Sequence, residues 1–348
     1  MFGGGGETDS RIRLRDLLSL SVRLCNEACH IIRSVQLQRD NDGGSSDTLQ
    51  AELKDPADQR SYLTVADKRA QVHIVCGLRD RFGTALDIVG EEDEAADEVD
   101  ADSAPECAAA VAASAWHFDE AYVIPADRDE LVLADVCMFV DPVDGTREFV
   151  EGRLEAVQCL IGVAYRGRPI AGVVGVPFLR ISESWPDSPC TCASSIPHIL
   201  YGVVGSPSHV AGLPLPHKKY RESSSTAEIN RGGDVQAITL AISTDLCRGT
   251  AAEAVPIELF GAGEWQTKAY QNQQDSKARL VCAGGCGFKI LKVLSGEADA
   301  AVMNLKTSLW DTCATQVMHI CIYIYKYIYN MYILYIYISI NIYIYTHK

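Results

Sequence analysis

The sequence predicts an α+β protein organised as two lobes, and three observations predict it. Apolar residues recur at helical spacing in two N-terminal stretches, and apolar runs of strand length follow them. From about residue 181 the chain turns rich in Pro, Ser and Gly, which separates this portion from a second α/β portion. With 348 residues the chain can bury a sizeable core as one large domain or two lobes. Its 47% hydrophobic and 22% charged residues place it among soluble globular proteins.

The N-terminal lobe is expected over residues 11–185, after a flexible Gly-rich start over residues 1–10. Residues 11–36 read as an amphipathic helix, because Leu14, Leu17, Leu18, Cys25, Ala28, Ile31, Ile32 and Val35 fall near i, i+3, i+4 spacing. The polar run DNDGGSSD then breaks the pattern. A second helix begins near Thr64, a capping residue, and runs through Asp67, Ala70, Ile74 and Leu78 to Phe82. LDIVGEE reads as a short strand entering an acidic loop. Residues 93–130 are acidic and Ala-rich and read as a solvated insertion, with the Ala run at 108–115 as a candidate surface helix. VCMFV is a strand ending at Asp141. The stretch from Val157 to Pro177 alternates apolar runs around Tyr165-Arg166-Gly167-Arg168, which predicts a hairpin.

The second lobe is expected over residues 186–320. Its strands fall near 199–204, 236–243, 279–283 and 298–303, with a helix starting in the Gly-rich run at 284–287. From Cys321 the chain changes in kind, and nine of its fifteen tyrosines lie in a Tyr/Ile repeat over 321–348. The run is long and apolar enough for a membrane span. Yet strict Tyr/Ile alternation has the period of a strand, and Lys326 interrupts it, so the tail is read as translated repeat sequence and no membrane partner is expected. As a strand it would be sticky on both faces.

The formal net charge of −15 argues against a binder of nucleic-acid polymers, which neutralises phosphates with Lys and Arg. A small anionic ligand stays open, provided a cation supplies local positive charge. Thirteen cysteines follow no disulfide-framework spacing, and MFGGGGETDSRIR lacks the apolar core of a signal peptide. Reduced thiols in the cytoplasm are therefore expected. The pairs Cys190/Cys192 and Cys282/Cys286 have no second pair at zinc-ligand spacing and are read as plain thiols.

The strongest chemical signal is Asp141-Pro142-Val143-Asp144-Gly145-Thr146, directly after an apolar strand. Two carboxylates three positions apart can converge on one side of a tight turn, with Pro142 fixing the backbone and the Val143 carbonyl free to face the same cation. Gly145 and Thr146 would offer backbone N–H groups at a helix start. In isolation Asp141 and Asp144 are as well explained by a turn residue and a helix cap. Glu91 alone fits a solvated acidic run, and Asp67 and Asp311 alone fit favourable charges at helix N-termini. Finding all four elements in this order defeats those readings.

The order VADKRAQ, IVGEED, DPVDGTREFVEG, LIGVAYRGRPIAGV, GGCGFKI and WDTCA resembles the lithium-sensitive, magnesium-dependent phosphatases of the inositol monophosphatase superfamily. Within it, EFVEG followed by LIGVAYRGRPIAGV is most similar to the 3'(2'),5'-bisphosphate nucleotidase branch. The resemblance covers about residues 11–318 and implies an α/β/α/β/α layered sandwich. It implies that Glu91, Asp141, Asp144, Asp311 and the Val143 carbonyl hold two or three Mg²⁺ ions. It further implies that Asp67 and Thr146 activate the attacking water, that the Gly145 and Thr146 amides hold phosphate, and that Lys289 lies near the substrate. The implied substrate is adenosine 3',5'-bisphosphate or PAPS, with an inositol polyphosphate substrate, cleaved at the 1-phosphate, as the alternative. Oxygen ligands in a strongly negative pocket suit hard cations, which agrees with that assignment.

Two departures qualify the resemblance. Where the nucleotidases carry a Ser-x-Ser-His-like segment, this chain has Ile242-Ser243-Thr244-Asp245-Leu246, without the histidine. The helix opened by Trp310-Asp311 runs into the Tyr/Ile repeat near 320, so the second lobe is expected to lack its closing strands. That raises a third possibility, a truncated inactive product, against which the intact acidic set speaks. Reduced stability or poor solubility is therefore expected of the purified full-length chain. Reversible, cooperative unfolding by calorimetry would count against this.

Overall fold

A computed structural model describes residues 10–44, 47–54, 62–92, 117–180, 190–213, 238–242, 278–298, 300–301 and 307–329. A three-residue strand β1 (Arg11–Arg13) leads into helix α1 (Leu14–Asn41), so the first three positions expected as helix pair with another strand instead. The helix also outruns the expected end at 36, because nothing before Gly43 and Gly44, both at positive φ, opposes it. All eight apolar positions that predicted α1 are buried.

A two-residue ladder, β2 (Glu52–Leu53) with β3 (Tyr62–Leu63), precedes helix α2 (Val65–Phe82). Thr64 caps α2 as expected: its Oγ1 accepts from Ala66 N at 3.2 Å while Asp67 Oδ2 accepts from Thr64 N at 2.8 Å. Strand β4 (Asp87–Gly90) follows, then a short helix α3 (Ala126–Asp129) and β5 (Glu130–Val132), which pairs with β1. The expected solvated insertion needs correction at its end. Phe118, Tyr122 and Ile124 are buried, and Phe118 and Tyr122 pack against Tyr201 with ring centroids 5.3 and 5.2 Å apart. An acidic average over 93–130 concealed these three anchors. The Ala run at 108–115 lies outside the described residues.

Strand β6 (Val136–Asp144) leads through helix α4 (Thr146–Val150) to β7 (Gln158–Tyr165) and β8 (Arg168–Arg180). The β7–β8 turn is Arg166-Gly167, both at positive φ, the primed geometry that matches strand twist. Strands β9 (Ser195–Val203) and β10 (Val210–Ala211) complete a six-stranded sheet in the order β10-β9-β8-β7-β6-β4, antiparallel except for the β4–β6 pair. The stretch at 199–204, expected in the second lobe, is therefore part of the first sheet. Arg33 on α1 secures that return: its guanidinium donates to Pro177 O, Cys192 O and Ser195 O.

A separate three-stranded parallel sheet has the order β12-β11-β13, from β11 (Ile238–Ile242), β12 (Ala278–Cys282) and β13 (Ala300–Ala301). Helix α5 (Cys286–Leu294) and helix α6 (Leu309–Tyr329) lie between the two sheets. The alternation of strand side chains builds both cores. Cys159, Ile161 and Val163 of β7 join the α1/α2 core, while Leu160 joins Phe288, Leu291, Ala314, Val317 and Met318 from α5 and α6. The described layers are thus helices, sheet, helices, sheet. Helix α6 continues through Tyr329, so the first residues of the Tyr/Ile repeat are helical rather than extended; residues 330–348 lie outside the described residues. No described helix is long and apolar enough to cross a membrane.

Helix α6 sits unusually close to the sheet. Gly162 and Gly172 are directly paired across β7 and β8, and both face α6. A Cβ on Gly162 would lie 2.5 Å from Cys313 Cβ, and one on Gly172 would lie 2.8 Å from the Ala314 Cα. The paired glycines form a trough that seats the Cys313-Ala314 turn two residues beyond Asp311. Gly172→Val is expected to force α6 outward, at about 1–3 kcal/mol for overpacking against backbone. Thermal melting should show a loss of several degrees; an unchanged Tm would mean the helix does not rest in the trough.

Candidate metal centre

Three positions of separation put two side chains on opposite faces of a regular strand. Asp141 and Asp144 escape this rule through a bulge. Asp141 pairs with Leu160 and Asp144 with Gln158, so three steps on β6 span two on β7. The extra residue turns both carboxylates to one side. Asp311 arrives from the other direction, in the first turn of α6, where its Oδ2 accepts from Ser308 N at 2.5 Å. Asp141, Asp144 and Asp311 each contribute a carboxylate oxygen, all within 4.8 Å of one another.

Asp144 is held by the start of α5, donating neither proton nor charge but accepting twice. Cys286 N donates to its Oδ1 at 2.9 Å and Gly287 N to its Oδ2 at 2.7 Å. The approach needs glycine, since a Cβ on Gly285, at φ +64°, would stand 2.7 Å from Asp144 Oδ2. Lys289, 2% exposed, donates to Gly285 O at 3.1 Å, and its charge favours the ionised forms of Asp144 and Asp311.

Asp67 is fully buried and reaches the site through Thr146. Thr146 Oγ1 stands 3.0 Å from Asp67 Oδ1 and 2.9 Å from the Val143 carbonyl, and its single proton serves one of them at a time. Thr64 Oγ1 donates to the other Asp67 oxygen at 2.5 Å. Gly145 occupies the left-handed region at φ 87°, where a Cβ would lie 2.9 Å from Ala156 O.

Glu91 stands at the end of β4, its N–H bonded to Val140 O at 3.0 Å. It acts on Asp141 and Asp311 through its charge but is not one of the three clustered carboxylates. Its Oε1 instead meets Lys54 Nζ at 2.7 Å, and the same ammonium lies 2.5 Å from Glu92 Oε1. Sequence reasoning missed Lys54 and Glu92. The doubled glutamate in IVGEED was the available signal, because two adjacent carboxylates call for a cation.

Electrostatics follows from this crowding. Burial, then the charges of Glu91, Asp144 and Asp311, push Asp141 well above the usual carboxylate range. Burial and the charge of Asp311 push Asp144 up to about 7, against the two amides that lower it. Burial raises Asp311 to about 6 and Asp67 to about 7, with Glu91 adding to both. Each close pair of ionised carboxylates repels by about 4 kcal/mol at an effective dielectric near 20.

This arrangement fits a hard divalent cation. The donors are all oxygen, they converge, and Asp141 Oδ1 is buried with no hydrogen-bond partner among the described residues. The eleven described cysteines form no disulfide, and among the described residues no His/Cys set converges as a metal site.

The raised acids set a pH dependence. Asp67 and Asp144 at about 7 and Asp311 at about 6 stand above the ordinary 3.8, so the folded protein binds more protons than the unfolded chain between those values. Their contribution to stability is present below the unfolded pKa and is lost as pH rises through the folded ones. In a chelator the Tm should therefore fall between about pH 5 and about pH 7.5. Excess divalent ion should raise it more at the upper pH, where the ligands are deprotonated. A Tm in chelator that climbs across that window would contradict the clustered geometry.

A profile of the inositol monophosphatase family matches residues 14–318. The chain is 26% identical over 313 residues to a 3'(2'),5'-bisphosphate nucleotidase 1 of Dictyostelium discoideum, covering 89% of this chain and 84% of that one. It is 29% identical over 256 residues to the Homo sapiens protein of the same name, covering 73% and 67%. An inositol monophosphatase 3 of Xenopus tropicalis is 22% identical over 323 residues, covering 89% and 70%. Among solved structures, the extragenic suppressor protein SuhB of Bartonella henselae superposes with a TM-score of 0.51 at 15% identity, over 87% of this chain and 83% of that one. That likeness establishes the layered α+β fold. With a match that takes in every one of the acidic residues above, this chain belongs to the inositol monophosphatase family and is a phosphoric monoester hydrolase.

Proposed function

We propose that the chain is a magnesium-dependent phosphatase that removes the 3'-phosphate of adenosine 3',5'-bisphosphate, or of PAPS, by attack of water. One observation carries the reading: two of the three clustered aspartates flank Val143, whose carbonyl lies within hydrogen-bond distance of the same Thr146 hydroxyl that reaches the buried Asp67. Asp141, Asp144, Asp311, Glu91 and the Val143 carbonyl would hold two or three Mg²⁺ ions. Bound there, Mg²⁺ supplies the positive charge that admits a phosphate dianion and acidifies water for attack.

The chain's own groups do the rest. With the Val143 carbonyl engaged by a cation, the Thr146 hydroxyl would give its proton to the hydrogen bond with Asp67 and would offer its oxygen lone pairs to the attacking water. Asp67, raised to about 7, is poised to take up a proton near neutral pH. The Gly145 and Thr146 N–H groups, at the start of α4, would orient the phosphate oxygens. Lys289, which already offsets charge on Asp144 and Asp311, would face the substrate side. No Ser or Cys nucleophile enters, and described cysteines that form no disulfide suit a reducing compartment such as the cytoplasm.

The nucleotide is preferred because two of the relatives above are bisphosphate nucleotidases. The inositol polyphosphate reading, with 1-phosphate release, draws on a different observation: Ile242-Ser243-Thr244-Asp245-Leu246 has no histidine, and residues 243–246 lie outside the described residues. Phosphate release should be measured on both substrates, with and without Mg²⁺ and with millimolar Li⁺ at limiting Mg²⁺. The expected result is Mg²⁺-dependent, Li⁺-inhibited release from the nucleotide. Robust turnover of an inositol bisphosphate alone would reverse the preference, and no turnover of either would favour the inactive product. Thr146→Ala should lower kcat by about 10²–10⁴ through loss of general-base action while leaving the fold intact. A kcat within threefold of wild type would remove Thr146 from the proposed roles.

A further inference from the structure

We propose that Lys54 is a built-in counter-cation that competes with the divalent ion for Glu91. The inference rests on the reading that the acidic centre binds such ions. Lys54 follows β2, and its Nζ lies 2.7 Å from Glu91 Oε1 and 2.5 Å from Glu92 Oε1. The pairs are sheltered: the side chains are 22% exposed for Lys54, 24% for Glu91 and 10% for Glu92.

Glu91 is anchored beside Asp141, because β4 and β6 pair in register and Glu91 N donates to Val140 O. Its carboxylate would be the natural fourth ligand to the Asp141, Asp144 and Asp311 set, yet one of its oxygens is committed to an ammonium. A cation cannot share that oxygen at close range with a second, doubly charged one without strong repulsion. Ion binding through Oε1 therefore requires Lys54 to withdraw, and binding through the other oxygen still works against the charge of the ammonium.

Glu92 gives it somewhere to go. The Glu92 backbone is fixed at both ends by Gln71, whose Oε1 accepts from Glu92 N at 3.1 Å and whose Nε2 donates to Glu92 O. Lys54 can release Glu91 and keep its pair with Glu92, so the exchange costs one contact of two. Its own tether is the two-residue ladder Glu52↔Leu63 and Leu53↔Tyr62, which leaves the lysine free to shift without disturbing the main sheet.

The test is Mn²⁺ binding to the full chain, read by electron paramagnetic resonance and calorimetry without substrate. Lys54→Met should tighten Mn²⁺ binding by roughly three- to fivefold, the upper scale of one partly exposed ion pair. Lys54→Arg, which keeps the charge, should stay near wild type. In a Glu91→Gln background the gain from Lys54→Met should vanish to within twofold, and melting in chelator controls for folding of each variant. Unchanged or weaker binding by Lys54→Met overturns the inference alone. The same gain persisting without the Glu91 charge also overturns it, since a general field effect would then suffice. Wild-type chain that binds no Mn²⁺ overturns both this inference and the metal reading beneath it.

Discussion

Mutual repulsion among buried carboxylates is the constraint around which this protein is arranged. Each of the three clustered aspartates is held by structure from which it cannot easily retreat. A strand bulge aims Asp141, two amides of α5 clamp Asp144, and the Ser308 amide fixes Asp311. These anchors come from both helical and strand layers, so separating the charges would mean separating the layers. Without a cation the aspartates respond by holding their protons to higher pH. A fold that maintains such a centre gives up stability at neutral pH and recovers it by binding positive charge.

The packing explains how helix α6 reaches the acidic centre from beside the six-stranded sheet. Direct pairing of Gly162 with Gly172 leaves a groove one side chain deep, and the small residues Cys313 and Ala314 fill it. The same device recurs on the opposite face, where a Cβ on Gly175 would stand 2.5 Å from Cys29 Sγ and 2.7 Å from Cys25 Sγ. Helices therefore approach both sides of the β7–β8 hairpin closely. Helix α6 is positioned by shape, and Asp311 travels with it.

What could be read from the sequence follows the range of the interaction. Thr64 and Asp67 lie three residues apart, so one helical turn contains the whole capping motif and its position was legible. The β7–β8 hairpin was legible because Arg166-Gly167 carries the turn chemistry itself. By contrast, composition suggested a boundary in the Pro- and Ser-rich stretch from residue 181, yet β8 and β9 on either side of it pair within one sheet. Phe118, Tyr122 and Ile124 were masked by acidic neighbours, although three buried side chains outweigh a charged average. The acidic ligand types stood out singly, but the partition among them did not. Nothing local to Glu91 says that an ammonium 37 positions away reaches it, whereas the hydrogen bonds to Asp144 and Asp311 come from backbone amides.

Charge balance links these pieces to the chemistry. Asp67, Glu91, Glu92, Asp141, Asp144 and Asp311 have Lys54 and Lys289 as their sheltered cations, with the more exposed Lys68 acting on Glu92 from the rim; six carboxylates against the two sheltered ammoniums leave four formal negative charges when all are ionised. A phosphate dianion would be strongly repelled by that pocket. Two divalent ions bring the formal sum to zero, and a third makes it positive by two, equal and opposite to the dianion. In the proposed reaction, the acidic lining that would exclude phosphate on its own would concentrate the cations that attract it, and Lys54 would set how much divalent ion is needed before the balance tips.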